Sequence, residues 1–351
     1  MVESRDVDSG SEPDAGDMPS GVLSDARMIV RDFAQVRPDE TVTVFSDRPR
    51  RVEGEALALA VRESGAAVIH VDISQAVERV LQGPDFWLDP PASILACAQS
   101  SNVSLFAVDE TYAFRLDHRV SSLFQTGQEC SIFKVDVGMG TWRLTAEGMA
   151  VVDANGRALL RATSGCDQVR ITSASGTDLR LSIRGRQCLE VPQVPSRGLP
   201  YGISVPLWGE YNWAPVDGSP DGTVVIDGLS EAGAAMAVVT EPVSLTVTGG
   251  LVTAVQGASA DADAFRAVLA TDAGASVVGE LGIGANPNAR IGTETEKALL
   301  GTVHLGFGNN TSYPGGTNRS AIHVDGVVRN ARVEVDGRLL LEGGRLIGDG
   351  R

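Results

Sequence analysis

The alternation of strand-like and helix-like segments between residues 41 and 108 constrains the fold most. Short β-branched runs at 41–46, 66–73 and 103–108 alternate with helix-forming stretches at 52–64 and 90–100. This βαβα order is typical of a parallel sheet covered by helices. The run at 66–73 is apolar enough for burial on both faces, as the inner strands of such sheets require. The sequence therefore predicts an N-terminal parallel α/β domain.

From residue 149 onwards, turn dipeptides between β-prone runs replace that order. Three of them predict hairpins: Asn155-Gly156, Gly249-Gly250 and Asp336-Gly337. Such dipeptides favour the tight turns that join antiparallel strands. Helices are expected near 261–271 and 293–300. We therefore predict a C-terminal β-rich domain that carries the functional site, and the fold class is α/β plus α+β.

The chain of 351 residues is long enough for two domains. Residues 1–20 contain six acidic residues, one basic residue and almost nothing to bury, so we predict a disordered acidic tail there. The α/β domain is assigned to 21–148 and the β-rich domain to 149–351. The change of pattern places the boundary between them at 140–200.

The formal net charge of −16 argues against nucleic-acid binding and against attraction to anionic membranes. No run of 18 apolar residues is present, so no membrane span is expected. The N-terminus lacks the basic and apolar regions of a secretory signal. Four scattered cysteines without a CxxC pair indicate reduced thiols: Cys97, Cys130, Cys166 and Cys188. We therefore expect a cytoplasmic protein.

Two histidines and an aspartate form the densest group of potential ligands. His323 and Asp325 lie two apart in a predicted strand, so their side chains project from the same face. His304 ends another predicted strand. Two histidines and a carboxylate suit zinc, manganese, cobalt or iron(II). On these residues alone, a hydrogen-bonded imidazole–carboxylate pair without a metal is the commoner arrangement, and both alternatives stay open.

Two glutamates lie in unusual surroundings. Glu280 follows an apolar run and precedes Gly282 and Gly284, but a third glycine at the right spacing is missing, so a dinucleotide-binding loop is not indicated. Glu210 lies among aromatic residues, where a carboxylate is costly to bury without a partner. Taken singly, each glutamate is more typical of a solvated or capping carboxylate.

Five motifs occur in the order found in the M29 metallopeptidases, the aminopeptidase T group, and the chain resembles that family over 22–350. They are 172–179 with Gly185-Arg186, Gly209-Glu210 with 214–219, Gly279-Glu280 with Asn286-Pro287, 302–308, and His323-Val324-Asp325. The resemblance implies a dinuclear site with two divalent ions, Zn, Co or Mn. It also implies a homodimer, for which the aromatic pair Phe86 and Trp87 is a candidate contact.

The family's ligand positions correspond to Glu210, Glu280, His304, His323 and Asp325 in this chain. The resemblance implies that a metal-activated water cleaves an amide next to a free amine, with Glu280 as the proton acceptor. Tyr313 is carried over as the catalytic tyrosine. Because Tyr211, Trp213 and the 306–316 loop add bulk around the expected pocket, we expect a small molecule or short peptide as substrate.

The same superfamily includes a ring-opening branch similar to 2,5-dihydroxypyridine dioxygenase. Those enzymes use one iron(II), which His304, His323 and Asp325 would hold without either glutamate. The aromatic side chains at 208, 211 and 213 would then line a pocket for a flat ring. The sequence thus favours a metallohydrolase and leaves open an iron(II) dioxygenase or another metal-dependent tailoring enzyme.

Overall fold

The computed structural model describes residues 18–75, 92–108, 131–134, 139, 145–191, 203–204, 208–233 and 236–347. Most of the predicted tail, and also Phe86, Trp87 and Cys130, lie outside the described residues. Met18 is already buried, and the first helix begins at Ser20. Among the described helices, none is long and apolar enough to cross a membrane.

Five parallel strands form the N-terminal sheet, in the order β2-β1-β3-β4-β8. Their bounds are β1 Thr41–Ser46, β2 Ala67–Asp72, β3 Val103–Ala107, β4 Ser131–Lys134 and β8 Ile203–Ser204. The helices of this part are α1 Ser20–Met28, extended by a π-helical turn Ile29–Phe33, a 3₁₀ turn Arg48–Arg50, α2 Arg51–Glu63 and α3 Ala92–Gln99. The three strands predicted from the sequence therefore share one parallel sheet, as expected. β8 comes from the second half of the chain, so the division into domains near residue 149 stays a prediction.

The expectation that 66–73 is buried on both faces is wrong. β2 is an edge strand that pairs with β1 alone within the described residues. Ile69 in its middle is 45% exposed. A β-branched run satisfies an edge strand as well as an inner one, so composition alone did not separate the two positions.

Two antiparallel sheets form the C-terminal part, which confirms the predicted fold class. The eight-stranded sheet has the order β14-β13-β10-β6-β5-β18-β19-β20, and the seven-stranded sheet the order β12-β11-β17-β16-β15-β9-β7. Their strands are β5 Gln168–Thr172, β6 Asp178–Ser182, β7 Leu189–Val191, β9 Glu210–Trp213, β10 Asp221–Ile226, β11 Leu229–Ser230, β12 Ala237–Val238, β13 Val243–Thr248, β14 Leu251–Gln256, β15 Val278–Gly284, β16 Val303–Gly308, β17 His323–Val328, β18 Arg332–Val335, β19 Arg338–Glu342 and β20 Arg345–Leu346. Helices α4 Ala146–Thr163 and α5 Ala260–Leu269 accompany them.

One hydrophobic core joins the two antiparallel sheets. It contains Val169 and Ile171 of β5 together with Leu281 of β15, all buried. Phe265 of α5 meets Phe307 of β16 edge to face, with ring centroids 6.1 Å apart. Because this core holds one face of the seven-stranded sheet in place, side chains on the opposite face of β15, β16 and β17 are held at fixed positions.

The hairpins predicted at Gly249-Gly250 and Asp336-Gly337 are confirmed as β13–β14 and β18–β19. The hairpin predicted at Asn155-Gly156 is wrong, because both residues lie inside α4. Thr145 caps that helix by accepting a hydrogen bond from the Gly148 N–H. The apolar residues of this segment follow helical spacing and are buried at Met149, Val152 and Leu159.

Asn155 and Gly156 do not form a turn but pack helix α4 against its neighbours. The Asn155 side-chain amide donates to the Ala285 carbonyl at 2.9 Å. A Cβ on Gly156 would lie 1.6 Å from the phenol oxygen of Tyr211, so only glycine lets the helix approach β9 this closely. The predicted helix at 261–271 is α5, whereas the one at 293–300 is a short, buried 3₁₀ helix, Glu294–Ala298.

Candidate metal centre

Three adjacent strands bring two carboxylates together over a glycine. In the seven-stranded sheet, Gly306 of β16 pairs with Glu280 of β15 on one side and with Asp325 of β17 on the other. A Cβ on Gly306 would lie 2.6 Å from Glu280 Oε2 and 2.9 Å from Asp325 Oδ1. The missing side chain therefore makes the space in which the two carboxylates meet.

A second glycine provides space for an imidazole. His304 of β16 pairs with Gly282 of β15, and a Cβ on Gly282 would lie 2.0 Å from the His304 ring. Gly284 allows the backbone of Ala298 and Leu299 to approach β15 just as closely. The glycines after Glu280 thus serve close packing at the site, which agrees with the absence of a dinucleotide-binding pattern.

Side chains along β9 alternate between the two faces of the sheet, and this alternation decides which of them face the site. Glu210 and Asn212 point the same way, and Asn212 Nδ2 donates to Glu210 Oε1 at 3.1 Å. Tyr211 and Trp213 point the other way and are buried in the hydrophobic core, where Tyr211 packs against Gly156 of α4. The expectation that Tyr211 and Trp213 add bulk to the pocket, or line it for a flat ring, is therefore wrong, because successive strand residues face opposite sides.

The structure brings together all five side chains that the sequence motifs indicated as ligands. Two groups of three have ligand atoms within 4.8 Å of one another: Glu210, Glu280 and His304, and Glu280, His323 and Asp325. His304 Nε2 lies 3.2 Å from Glu280 Oε1, and His323 Nε2 lies 3.0 Å from Glu280 Oε2. All five side chains are buried. Glu280 therefore belongs to both groups, with one oxygen on each side.

Backbone carbonyls orient both imidazoles. His304 Nδ1 lies 3.3 Å from the Lys297 carbonyl, and His323 Nδ1 lies 2.6 Å from the Asn309 carbonyl. When each Nδ1–H donates to its carbonyl, the Nε2 of a neutral ring presents its lone pair to the carboxylates. That is the arrangement in which metal-binding histidines are commonly held.

Two buried carboxylate oxygens show that the residues fit a metal. Glu210 Oε2 and Asp325 Oδ1 are buried and have no hydrogen-bond partner. Glu210 Oε2 lies 3.9 Å from His304 Nε2, and Asp325 Oδ1 lies 3.3 Å from His323 Nε2. A buried anionic oxygen without a partner is costly. A divalent cation between these oxygens and the imidazoles would satisfy them.

Without a cation, protons on the histidines balance the carboxylates. Burial lowers the pKa of His304, but Glu210 and Glu280 outweigh it and raise the pKa to about 9. Burial also opposes protonation of His323, yet Asp325 and Glu280 raise its pKa well above the usual range. Burial and Asp325 tend to raise the pKa of Glu280, while hydrogen bonds from the two histidines lower it to about 2. The metal-free site is thus a set of imidazolium–carboxylate pairs.

Tyr313 lies beside the shared glutamate. Its hydroxyl donates to Glu280 Oε2 at 2.7 Å and lies 3.4 Å from His323 Nε2. Its ring stacks on that of His323 with centroids 5.7 Å apart. Arg186 donates to the Gly315 carbonyl and so ties down the loop that carries Tyr313. The tyrosine carried over from the family resemblance is therefore in contact with the site.

The sequence analysis missed two charged residues beside the site, Lys297 and Glu231. Lys297 Nζ lies 2.9 Å from Asp325 Oδ2 and 2.9 Å from Glu231 Oε1, and it lies 5.7 Å from the centroid of the Trp208 ring. A signal was present, since only two of the 29 basic residues are lysines, Lys134 and Lys297. Where nearly all basic residues are arginines, a lysine indicates a position that favours the compact ammonium group over the larger guanidinium group.

Comparison with known proteins gives one family and two related structures. A family model described as NicX, 2,5-dihydroxypyridine 5,6-dioxygenase, matches residues 152–348. The 2,5-dihydroxypyridine dioxygenase from Pseudomonas putida is 15% identical with a TM-score of 0.72, over 94% of this chain and 98% of that chain. AmpT from Thermus thermophilus is 17% identical with a TM-score of 0.66, over 93% of this chain and 99% of that chain. Comparison with curated protein sequences gives no significant match. At such identities the two structures establish a shared fold.

Proposed function

Because the chain belongs to the NicX family, whose matching model covers residues 152–348, we propose that it is a metal-dependent enzyme with its site at Glu210, Glu280, His304, His323 and Asp325. The fold is shared with AmpT as well as with the dioxygenase. The motifs that resemble M29 peptidases therefore fall within a common superfamily. The choice between its chemistries depends on the site of this chain.

The proposed reaction is hydrolysis of an amide next to a free amine on a small molecule or short peptide. The position of Glu280 carries this proposal, since its two oxygens lie 3.2 Å and 3.0 Å from His304 Nε2 and His323 Nε2. A carboxylate with one oxygen toward each of two ligand groups suits a pair of divalent ions. Two-ion sites of this type are common in aminopeptidases.

When bound, divalent ions would polarise the scissile carbonyl and lower the pKa of a water molecule. The protein's side chains supply the remaining functions. Tyr313 OH is placed to donate a hydrogen bond to an oxygen that gains negative charge near Glu280. Asn212 holds Glu210 Oε1, so that Oε2 faces His304. Glu280 can accept a proton only through an oxygen that holds no cation, so with both ligand groups filled it would act as a ligand and not as the proton acceptor.

A second candidate function is ring opening by an iron(II) dioxygenase. The description of the family model favours it, and His304, His323 and Asp325 would supply the iron ligands. His323 Nε2 and Asp325 Oδ1 lie 3.3 Å apart, but the ligand atom of His304 lies with those of Glu210 and Glu280. This placement of His304, with both glutamates present at the site, supports the hydrolase proposal.

A panel of activity assays distinguishes the hydrolase from the dioxygenase. Protein purified without chelator is assayed on aminoacyl p-nitroanilides and dipeptides with Zn²⁺, Co²⁺ or Mn²⁺, and on dihydroxypyridines with Fe²⁺ and O₂. We expect release of an N-terminal amino acid that depends on Zn²⁺, Co²⁺ or Mn²⁺. O₂ uptake on a dihydroxypyridine, with no hydrolysis of any aminoacyl substrate, would establish the dioxygenase instead.

A further inference from the structure

We infer that Lys297 is a positioning residue that makes Asp325 a one-oxygen ligand. This inference rests on the proposed metal site. Lys297 Nζ donates a hydrogen bond to Asp325 Oδ2 at 2.9 Å, whereas Asp325 Oδ1 faces His323 Nε2 at 3.3 Å. With Oδ2 engaged by an ammonium group, Oδ1 is the oxygen left to face a cation.

Glu231 fixes both partners of this contact. Its Oε1 accepts from Lys297 Nζ at 2.9 Å, and its Oε2 accepts from the Asp325 backbone N–H at 3.1 Å. The Glu231 N–H in turn donates to the Asp325 carbonyl. Lys297 and Asp325 are thus tied to one carboxylate, and all three side chains are nearly inaccessible, with side-chain exposures of 4% for Lys297, 11% for Glu231 and 5% for Asp325. A buried network whose members satisfy one another holds a single geometry.

Lys297 also neutralises charge without occupying a ligand position. Glu210, Glu280, Asp325 and Glu231 carry four negative charges when ionised, and Lys297 offsets one of them. Removing the ammonium group makes the site more negative and frees Asp325 Oδ2. Asp325 would then bind a cation with both oxygens and fill a coordination position that substrate or water requires. A lysine that only supported the fold would not have this effect.

The test uses Co²⁺, whose visible absorption weakens as its coordination number rises. Lys297→Met should bind Co²⁺ with a dissociation constant no higher than that of the wild type, because the site is more negative. Its Co²⁺ absorption should be weaker than that of the wild type, and its turnover should fall by roughly 10–100-fold, as for other residues that orient ligands. Arg329→Met is the matched control, since Arg329 pairs with Glu296 of the same 3₁₀ helix at 2.5 Å, whereas the ammonium partner of Asp325 in the described part of the chain is Lys297. Its Co²⁺ spectrum should match the wild type.

The outcomes are distinct. A Co²⁺ spectrum of Lys297→Met identical to the wild type would overturn the inference, as would an equal spectral change in Arg329→Met. If Lys297→Met does not fold, Lys297→Gln removes the same positive charge with a polar side chain and should weaken the Co²⁺ absorption in the same direction. An unchanged spectrum in that variant would likewise overturn it. Wild-type protein that binds no Co²⁺ would contradict the proposed function itself and not the role of Lys297 within it.

Discussion

Tyr313 donates a 2.7 Å hydrogen bond to Glu280 Oε2, the oxygen that also lies 3.0 Å from His323 Nε2. Under the proposed function, the phenol would lie next to the point where a substrate oxygen gains charge, and the five expected ligands do not include it. Tyr313→Phe should keep the wild-type metal content and lower kcat by about 10²–10³-fold, the usual effect of losing one such donor. Metal analysis and steady-state kinetics check this. A loss of metal in Tyr313→Phe would show that the tyrosine is a ligand.

His323 supplies the nitrogen of one ligand group. His323→Ala should lower the metal content and reduce activity by more than the roughly 10–100-fold typical of an outer-sphere substitution. His70→Ala is the control, because His70 lies in β2 of the N-terminal sheet and bonds Ser46 Oγ at 2.8 Å. Metal content by elemental analysis should be unchanged in the control. Full metal content in His323→Ala would contradict the assignment.

Protonation of the histidines predicts how the metal-free protein responds to pH. The folded-state pKa of His304 is raised from 6.5 to about 9 by Glu210 and Glu280, against the effect of burial. Its contribution to stability is therefore complete below pH 6.5 and is lost as the pH rises through about 9. Thermal unfolding of the metal-free protein should show a Tm that falls between these values. Saturation with Zn²⁺ should remove the fall, because the metal replaces the protons. A Tm that rises with pH over this range would contradict the pairing.

A substitution at Gly156 tests the packing of α4, the helix found where the sequence predicted a hairpin. Gly→Ala inside a helix normally stabilises by roughly 0.5–1 kcal/mol. Here the added Cβ would lie 1.6 Å from the Tyr211 hydroxyl, so Gly156→Ala should instead destabilise by about 1–3 kcal/mol. Gly148→Ala in the same helix should have a smaller effect, because its added Cβ would lie 3.2 Å from the Thr145 hydroxyl oxygen and a shift of that side chain by a few tenths of an ångström would accommodate it. Denaturant unfolding checks both, and a stabilised Gly156→Ala would contradict the packing.

The sequence predicted more of the ligands than of their surroundings. His323 and Asp325 lie on one face because they are two apart in a strand, and this follows from local geometry. The same rule applied to Glu210 would have placed Asn212 beside it and Tyr211 in the core. Lys297 and Glu231 reach Asp325 from a 3₁₀ helix and from the residue after β11. Such contacts depend on tertiary packing that no local pattern encodes. Asn155-Gly156 failed as a turn signal for a different reason, since the helical spacing of the surrounding apolar residues and the Thr145 cap outweighed the dipeptide. Only the contact of Gly156 with Tyr211, 55 residues away in sequence, depends on tertiary packing.

Equilibrium metal binding to wild type and Glu280→Gln tests the central claim most directly. Because Glu280 belongs to both ligand groups, wild-type protein titrated with Zn²⁺ should bind two ions per chain. Glu280→Gln should bind at most one and should keep a wild-type circular dichroism spectrum. A single iron per wild-type chain, with the same iron content in Glu280→Gln, would contradict the shared-carboxylate site and favour the dioxygenase.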